Sequence, residues 1–284
     1  MSHRRPEGLL IGALWGAGAL SGVIVAMIAA FLVVESMDIL SRLGIPRFFT
    51  DGAWHPTEGR YDLSAMALGT LWASAGAVAL ATPLGVISAL FCRHYAPPRL
   101  GAIYARMIEV LAGVPSVVYG LWGLTVLVPL IGRIRPPGAS LLAGILILGL
   151  MILPTIALLC DAAVRAVPVE LVRGAAALGL SRWSTVRGVV LPSARPGLLV
   201  GVLLGAGRAF GETMAVLMVC GNVVQAPSGL FAPMRTLTAN IALEMGYALG
   251  DHRAALFVSG LLLLIMATAL VAAADLTGRR RAHA

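Results

Sequence analysis

Two side chains in the last third of this 284-residue chain stand where charge is expensive. Arg208 and Glu212 interrupt an apolar run over residues 197–221. Arg208 follows Gly197 by eleven positions, about 16 Å along a helix at ~1.5 Å per residue. In a bilayer-crossing helix that is close to the midplane, where a charge costs at least about 2.5 kcal/mol on insertion scales. Residues four apart share a helix face. The pair could therefore be a buried ion pair that neutralises itself. Alternatively, Arg208 is free to meet a passing anion, since its planar fork matches two oxygens of a tetrahedral oxyanion. Two features favour the second reading. Gly205, Gly207 and Gly211 surround the pair and allow close approach, and Arg before Glu is the poorer order for a helical pair. Glu212 then has a selective use. Phosphate near neutral pH keeps at least one P–OH that can donate to a carboxylate, whereas sulfate and molybdate have none. Thr213, Ser116 and Tyr119, with Thr236, Thr238 and Asn240, could add hydrogen bonds along such a route. Polar groups inside spans also simply join helices.

The elements that must position these residues are membrane helices. The chain is 59% hydrophobic and 12% charged, with a mean hydropathy of +0.91. Soluble domains run at about 45–50% apolar and about 25% charged. The expected fold is all-α and integral to a membrane, with six spans over residues 8–34, 64–91, 103–131, 140–159, 197–221 and 254–274. The first run exceeds the apolar core of a signal peptide, about 7–15 residues, and reads as an uncleaved helix. Pro83, Pro115 and Pro154 are expected to kink their spans. Residues 35–62 and 222–251 read as extramembrane loops, the second dipping back at 234–248. The organisation is a first part, 1–62, a permease-like part, 63–274, with a polar insertion at 161–196, and a tail, 275–284. Most arginines lie in the two tails, the Arg93 turn and the insertion, which puts both termini in the cytoplasm. The net charge of +8 follows from those loops and needs no nucleic-acid partner.

The insertion reads as two short helices with a sharp bend. Pro168 and Glu170 suit a first turn. Leu171, Ala175 and Leu178 would share one face, Gly179 suits a left-handed residue after the helix, Ser181 can cap the next helix and Pro192 would end it. Arg173, Arg182 and Arg187 make it basic, and Trp183 and Val190 would remain partly uncovered. Such a patch fits either a partner's groove or the lipid headgroups.

The spacing of Gly179, Val189, Leu191 and Pro192 resembles the cytoplasmic loop of ATP-binding-cassette importer permeases. That pattern has Glu-Ala-Ala, Gly after three intervening residues, then Ile-x-Leu-Pro after nine more. Arg173 stands at the family's Glu position and Gly174 at the following Ala. This departure bears on the salt bridge that Glu would make to the ATPase and leaves the helix–turn–helix geometry. The stretches GRAFGETMAVLMVCGN at 207–222, LAGVPSVVYG at 111–120, MILPTI at 151–156 and TLTANIA at 236–242 resemble the phosphate-importer permeases. The segment at 54–71 is similar to the C-type subunit more than to its A-type partner. The resemblance implies a type I importer fold and a heterodimer with an A-type permease. It also implies an ATP-binding subunit dimer, a periplasmic phosphate-binding protein, and roles for Arg208 and Glu212 in transport. The coupling residues implied are Glu170, Arg173, Ala175, Gly179, Arg182, Trp183, Leu191 and Pro192.

No GxxxxGK[ST] loop occurs, so ATP and Mg are expected on the partner ATPase and this chain carries no cofactor and no catalytic set. Cys92, Cys160 and Cys220 are far apart, and the five histidines lack metal-ligand spacing. The rival readings are a sulfate or molybdate permease, an A-type phosphate subunit, a membrane enzyme using Glu212 as a proton relay, and a sensory scaffold.

Overall fold

The computed structural model describes the backbone of residues 4–282 and the side chains of residues 10–273. The side chains of Arg4, Arg5 and Arg279 to Arg281, invoked for orientation, lie outside the described residues.

Among the described residues, six helices are long and apolar enough to cross a membrane. The first, α1 (Arg4–Leu43), runs past the expected end at residue 34. Residues 35–43 stay helical because Ser36 and Ile39 are buried and Arg42 pairs with Asp38 and with Asp251 of the last helix. A short helix α2 (Arg47–Thr50) follows, and then a hairpin of β1 (Trp54–His55) and β2 (Arg60–Tyr61) with Trp54 opposite Tyr61. Phe48, Trp54, Tyr61 and Leu63 form a small core with Ile39, Leu237 and Leu256, so residues 44–63 are a packed cap.

Helix α3 (Ser64–Leu90) presents Ala73, Ala77, Ala81, Gly85 and Ala89 at four-residue intervals to the interior. Lipid gives helices no hydrophobic reason to associate, so close backbone approach through small residues must do it. Their partner is α7 (Leu141–Arg165), the central helix, with Ile147, Leu148, Met151, Ile152 and Ile156 fully buried. On its other flank lies α10 (Leu191–Gly211). Ile156 fills the space of two absent side chains. A Cβ on Gly85 would stand 2.8 Å from its Cγ2, and one on Gly205 2.6 Å from its Cγ1.

The expected third span, 103–131, is not one helix. Pro115 forces Val114 out of the helical region, ψ 128°, and splits α4 (Pro98–Gly113) from α5 (Ser116–Trp122). A π-helical turn over Gly123–Leu127 joins α5 to α6 (Val128–Ile134), so the apolar span is Ser116–Ile134.

The insertion is shorter than 161–196, because α7 continues to Arg165. Helix α8 (Val169–Ala177) precedes Gly179, which has the expected positive φ of 76°. Ser181 caps α9 (Arg182–Thr185) by accepting from Ser184 N at 3.1 Å. Pro192 does not end this helix. A π-helical turn, Val186–Val190, leads into α10, and Pro192 falls in its first turn, where a missing N–H is tolerated.

The expected fifth span, 197–221, is broken too. Helix α10 stops at Gly211, Glu212 is extended with ψ 131°, and α11 (Met214–Val219) starts afresh. Residues 234–248 fold back into the helical body as α12 (Leu237–Glu244), with Leu237, Ala239 and Asn240 buried. The last helix, α13 (Gly250–Ala282), packs along α1, where Phe31 meets Phe257 edge to face at 5.5 Å.

Candidate functional site

The break between α10 and α11 changes the geometry of the charged pair. Arg208 and Glu212 do not share the face of one continuous helix, because the turn between them is not helical. Arg208 lies in the last turn of α10, where a cation complements the helix dipole. Its Nη1 donates to Thr155 Oγ1 of α7 at 3.2 Å. No salt bridge involves Arg208 among the described residues. The reading of a self-neutralising pair with Glu212 does not hold in this conformation, and the half-buried guanidinium keeps its charge uncompensated.

Glu212 is held by two bonds. Its Oε1 accepts from Ala215 N at 3.0 Å, which caps α11, and its backbone oxygen accepts from Thr238 Oγ1 of α12 at 2.8 Å. Oε2 has no protein partner among the described residues. Thr213 is half-buried, and its hydroxyl makes only a long contact, 3.4 Å, to Gly211 O.

The glycines around the pair divide by task. Gly205 packs against Ile156, while a Cβ on Gly207 or Gly211 would meet nothing within 4 Å. Beside Arg208 and Glu212, one side of the α10 terminus is therefore bare backbone facing open space.

Helix α5 packs on α11, where a Cβ on Gly120 would stand 3.0 Å from Ala215 Cα. Ser116 opens this helix and is half-buried. Tyr119 is buried, and its hydroxyl donates to Leu111 O at 2.8 Å. That bond staples α5 to the end of α4 across the Pro115 break, so the Tyr119 hydroxyl is engaged there.

Two contributors were not singled out from the sequence. Thr155 orients Arg208 from another helix, and its place after Pro154 in MILPTI was the only hint. The other is a buried cluster of Trp54, Arg235, Glu244 and His252. Its members are too far apart in sequence to show any spacing.

At the opposite end of α10, the α8–α9 turn projects from the helical body. Leu178 is 81% exposed and Trp183 59% exposed, with Leu171 and Leu180 beside them. Glu170, Arg173, Gly179, Arg182 and Pro192 are also exposed, and Leu191 is half-buried. Ala175 is buried, whereas Leu171 and Leu178, at the same helical spacing, are exposed. Val190, expected to stay partly uncovered, is not. Val190 is buried in a small core with Leu90, Val164, Val186 and Ala194. Those contacts tie the turn to α3, α7 and α10.

Membrane-crossing helices, a charged helix break beside bare backbone, and an exposed apolar turn rooted in the same helices are the architecture of a permease subunit. The profile of the family described as "binding-protein-dependent transport system inner membrane component" matches residues 81–283. A probable ABC transporter permease protein, YqgH of Bacillus subtilis, is 39% identical over 247 residues, covering 84% of this chain and 80% of that protein. The phosphate transport system permease protein PstC of Mesorhizobium japonicum is 35% identical, covering 89% and 84%. That of Haemophilus influenzae is 35% identical, covering 87% and 84%. Among solved structures, a bacterial alginate ABC transporter chain superposes with a TM-score of 0.67 at 14% identity, covering 98% of both chains. An inward-facing MetNI methionine transporter chain gives 0.58 at 21%, covering 75% of this chain and 90% of that one. The chain belongs to the binding-protein-dependent transport system inner membrane component family. It is a multi-pass inner-membrane protein with the type I importer fold, and a transporter subunit, not itself an enzyme. It works in a complex with ATPase and binding-protein partners.

Proposed function

We propose that this chain is the C-type permease subunit of an ATP-driven importer of inorganic phosphate. The observation that carries this reading is Arg208. Its guanidinium is held by a neutral hydroxyl, not by a carboxylate, and lies beside the open backbone of Gly207 and Gly211. A hydroxyl orients the fork and leaves its charge for an anion. The relatives named as phosphate transport permeases support phosphate as that anion.

Glu212 supplies the choice among oxyanions. With Oε1 engaged by Ala215 N, Oε2 is left to accept the P–OH proton of phosphate. A fully deprotonated oxyanion has nothing to donate there and meets like-charge repulsion instead. Thr213, next to Glu212 in the chain, and Ser116, at the start of α5, are the further hydrogen-bonding groups of this reading. Tyr119 contributes through the α4–α5 staple.

The cap and α12 face the periplasm in this reading, where a phosphate-binding protein delivers the ion. Both termini and the α8–α9 turn face the cytoplasm, following the arginine distribution. There Leu178 and Trp183, with Glu170, Arg173 and Arg182 around them, dock into one subunit of an ATPase dimer that binds ATP and Mg. Because the turn is rooted by Ala175, Val190 and Leu191, closure of the ATPases moves α7 and α10 as a body. A second, A-type permease completes the passage on the Gly207–Gly211 side.

The test is uptake by the reconstituted complex with phosphate, sulfate and molybdate in competition. Phosphate alone should be accumulated. Equal uptake of sulfate would overturn the assignment of substrate.

A further inference from the structure

Away from Arg208, one buried carboxylate gathers partners from across the fold. Glu244, in the last turn of α12, is 7% exposed. Its Oε2 accepts from Trp54 Nε1 of the cap at 2.8 Å and lies 2.8 Å from His252 Nε2 of α13. Its Oε1 accepts from Arg235 Nη1 at 2.6 Å. Arg235 Nη1 also donates to Asn240 Oδ1 at 2.9 Å, and its Nε to Asn222 O at 3.0 Å. The arginine thereby clips the end of α12 back onto the segment that leads into it.

The other end of α12 is held as firmly. Thr236 Oγ1 accepts from Ala239 N at 3.2 Å, and Leu237 N donates to Thr70 Oγ1 of α3 at 3.0 Å. Thr238 Oγ1 lies 3.0 Å from Thr236 Oγ1 and donates to Glu212 O at 2.8 Å. Helix α12 has 8 residues, about 12 Å at ~1.5 Å per residue. One end is fixed to the cap and α13 by Glu244. The other fixes the peptide that carries the proposed phosphate-selecting carboxylate. Leu237, Ala239 and Asn240 are buried, and a satisfied polar network of this kind holds the helix rigidly between its two ends.

We propose that Glu244 is a positioning residue for Glu212, acting through α12. A shift of Trp54 or of the start of α13 is passed by Glu244 to Thr238, and from there to the backbone of Glu212. The inference rests on the reading of Glu212 as a substrate residue, and its test keeps the two separable. Removing the Glu244 charge outright strands Arg235 in a buried site and threatens folding. Trp54→Phe, which deletes one donor and keeps an aromatic ring, is therefore the primary variant, with Thr238→Val as the second.

In the complete reconstituted transporter, hydrogen exchange is followed without phosphate, and phosphate uptake is measured in parallel. Trp54→Phe is expected to speed exchange in 237–244 and also at the amides of Thr213 and Ala215. It should raise the KM for phosphate about five- to ten-fold, the scale of one hydrogen bond, with kcat near normal. Thr238→Val should raise KM alike, and the Trp54→Phe/Thr238→Val double variant should be no worse than Thr238→Val, because both cut the same link. Exchange changes confined to 237–244, or multiplied KM effects in the double variant, would overturn the link. If exchange reaches Thr213 and Ala215 but KM does not move, the link stands and the role of Glu212 in phosphate selection fails.

Discussion

Arg208 donates to Thr155 at 3.2 Å across the seam between α10 and α7, a cation held by a neutral hydroxyl with both residues half-buried. The contrast with Arg235 is informative. That arginine is matched by Glu244 at 2.6 Å and is a structural ion pair, whereas Arg208 has only a hydroxyl. A charge kept half-buried without a counter-ion is expensive, which is what would favour an arriving anion in the proposed passage.

Thr155→Val should therefore weaken phosphate handling while leaving the fold intact. A hydrogen bond to a charged group contributes about 1.5–3 kcal/mol, so the KM for uptake should rise by roughly ten-fold or more. Val replaces Thr in shape, and the melting temperature of the purified complex should stay close to that of the parent. Concentration-dependent uptake in proteoliposomes checks the first, and thermal unfolding of the purified complex the second.

Glu212 can be dissected because its two oxygens do different things. Glu212→Gln keeps an acceptor for Ala215 N but loses the negative charge, so sulfate should begin to compete with phosphate while the protein stays folded. Glu212→Ala should lose the cap as well, at about 1 kcal/mol of stability. Competition uptake and thermal unfolding of the two variants separate these effects.

The glycines near Arg208 should differ in what a methyl group does. At Gly205 a Cβ would stand 2.6 Å from Ile156, and overpacking of this kind costs about 1–3 kcal/mol, so Gly205→Ala should lower thermal stability. Gly207→Ala meets open space and should fold normally, with its effect confined to transport. Melting curves of the assembled complexes read the difference.

At the projecting turn, Trp183→Ala should sever the complex without unfolding the permease. Trp183 is 59% exposed and lies outside the small buried core beneath it, so in the proposed docking its truncation acts on the ATPase contact rather than on the fold. Gly179→Ala should act similarly by a different route, since φ 76° strains any residue with a side chain by about 1–2 kcal/mol. Co-purification of the ATPase, compared with the melting temperature of the permease alone, tests both.

Much of this was legible in the residues. Apolar length marked the spans, Gly179 and Ser181 announced the bend, and the charges at 208 and 212 marked the place of interest. The helix breaks were legible unequally. Pro115 carried its own signal through the restriction it places on Val114. Glu212 carried none, because its extended backbone is held by Thr238 and its side chain by Ala215 N. A four-residue spacing therefore suggested a shared face that does not exist. Pro192 erred the other way, since the π-helical turn before it lets the helix run on. The Glu244 cluster draws on positions 54, 235, 244 and 252, and only the folded cap brings them together.

The most direct measurement is uptake of radiolabelled phosphate by proteoliposomes carrying the complete transporter with Arg208→Ala or Arg208→Lys, with ATP hydrolysis followed in the same vesicles. If the guanidinium meets the ion, Arg208→Ala should lose uptake by about 100-fold or more, the scale of a truncated buried charge contact. Arg208→Lys should retain a small part, since it keeps the charge without the fork. Hydrolysis should persist in both. Uptake at the parent rate in Arg208→Ala, with hydrolysis coupled as before, would contradict phosphate passage alongside this residue.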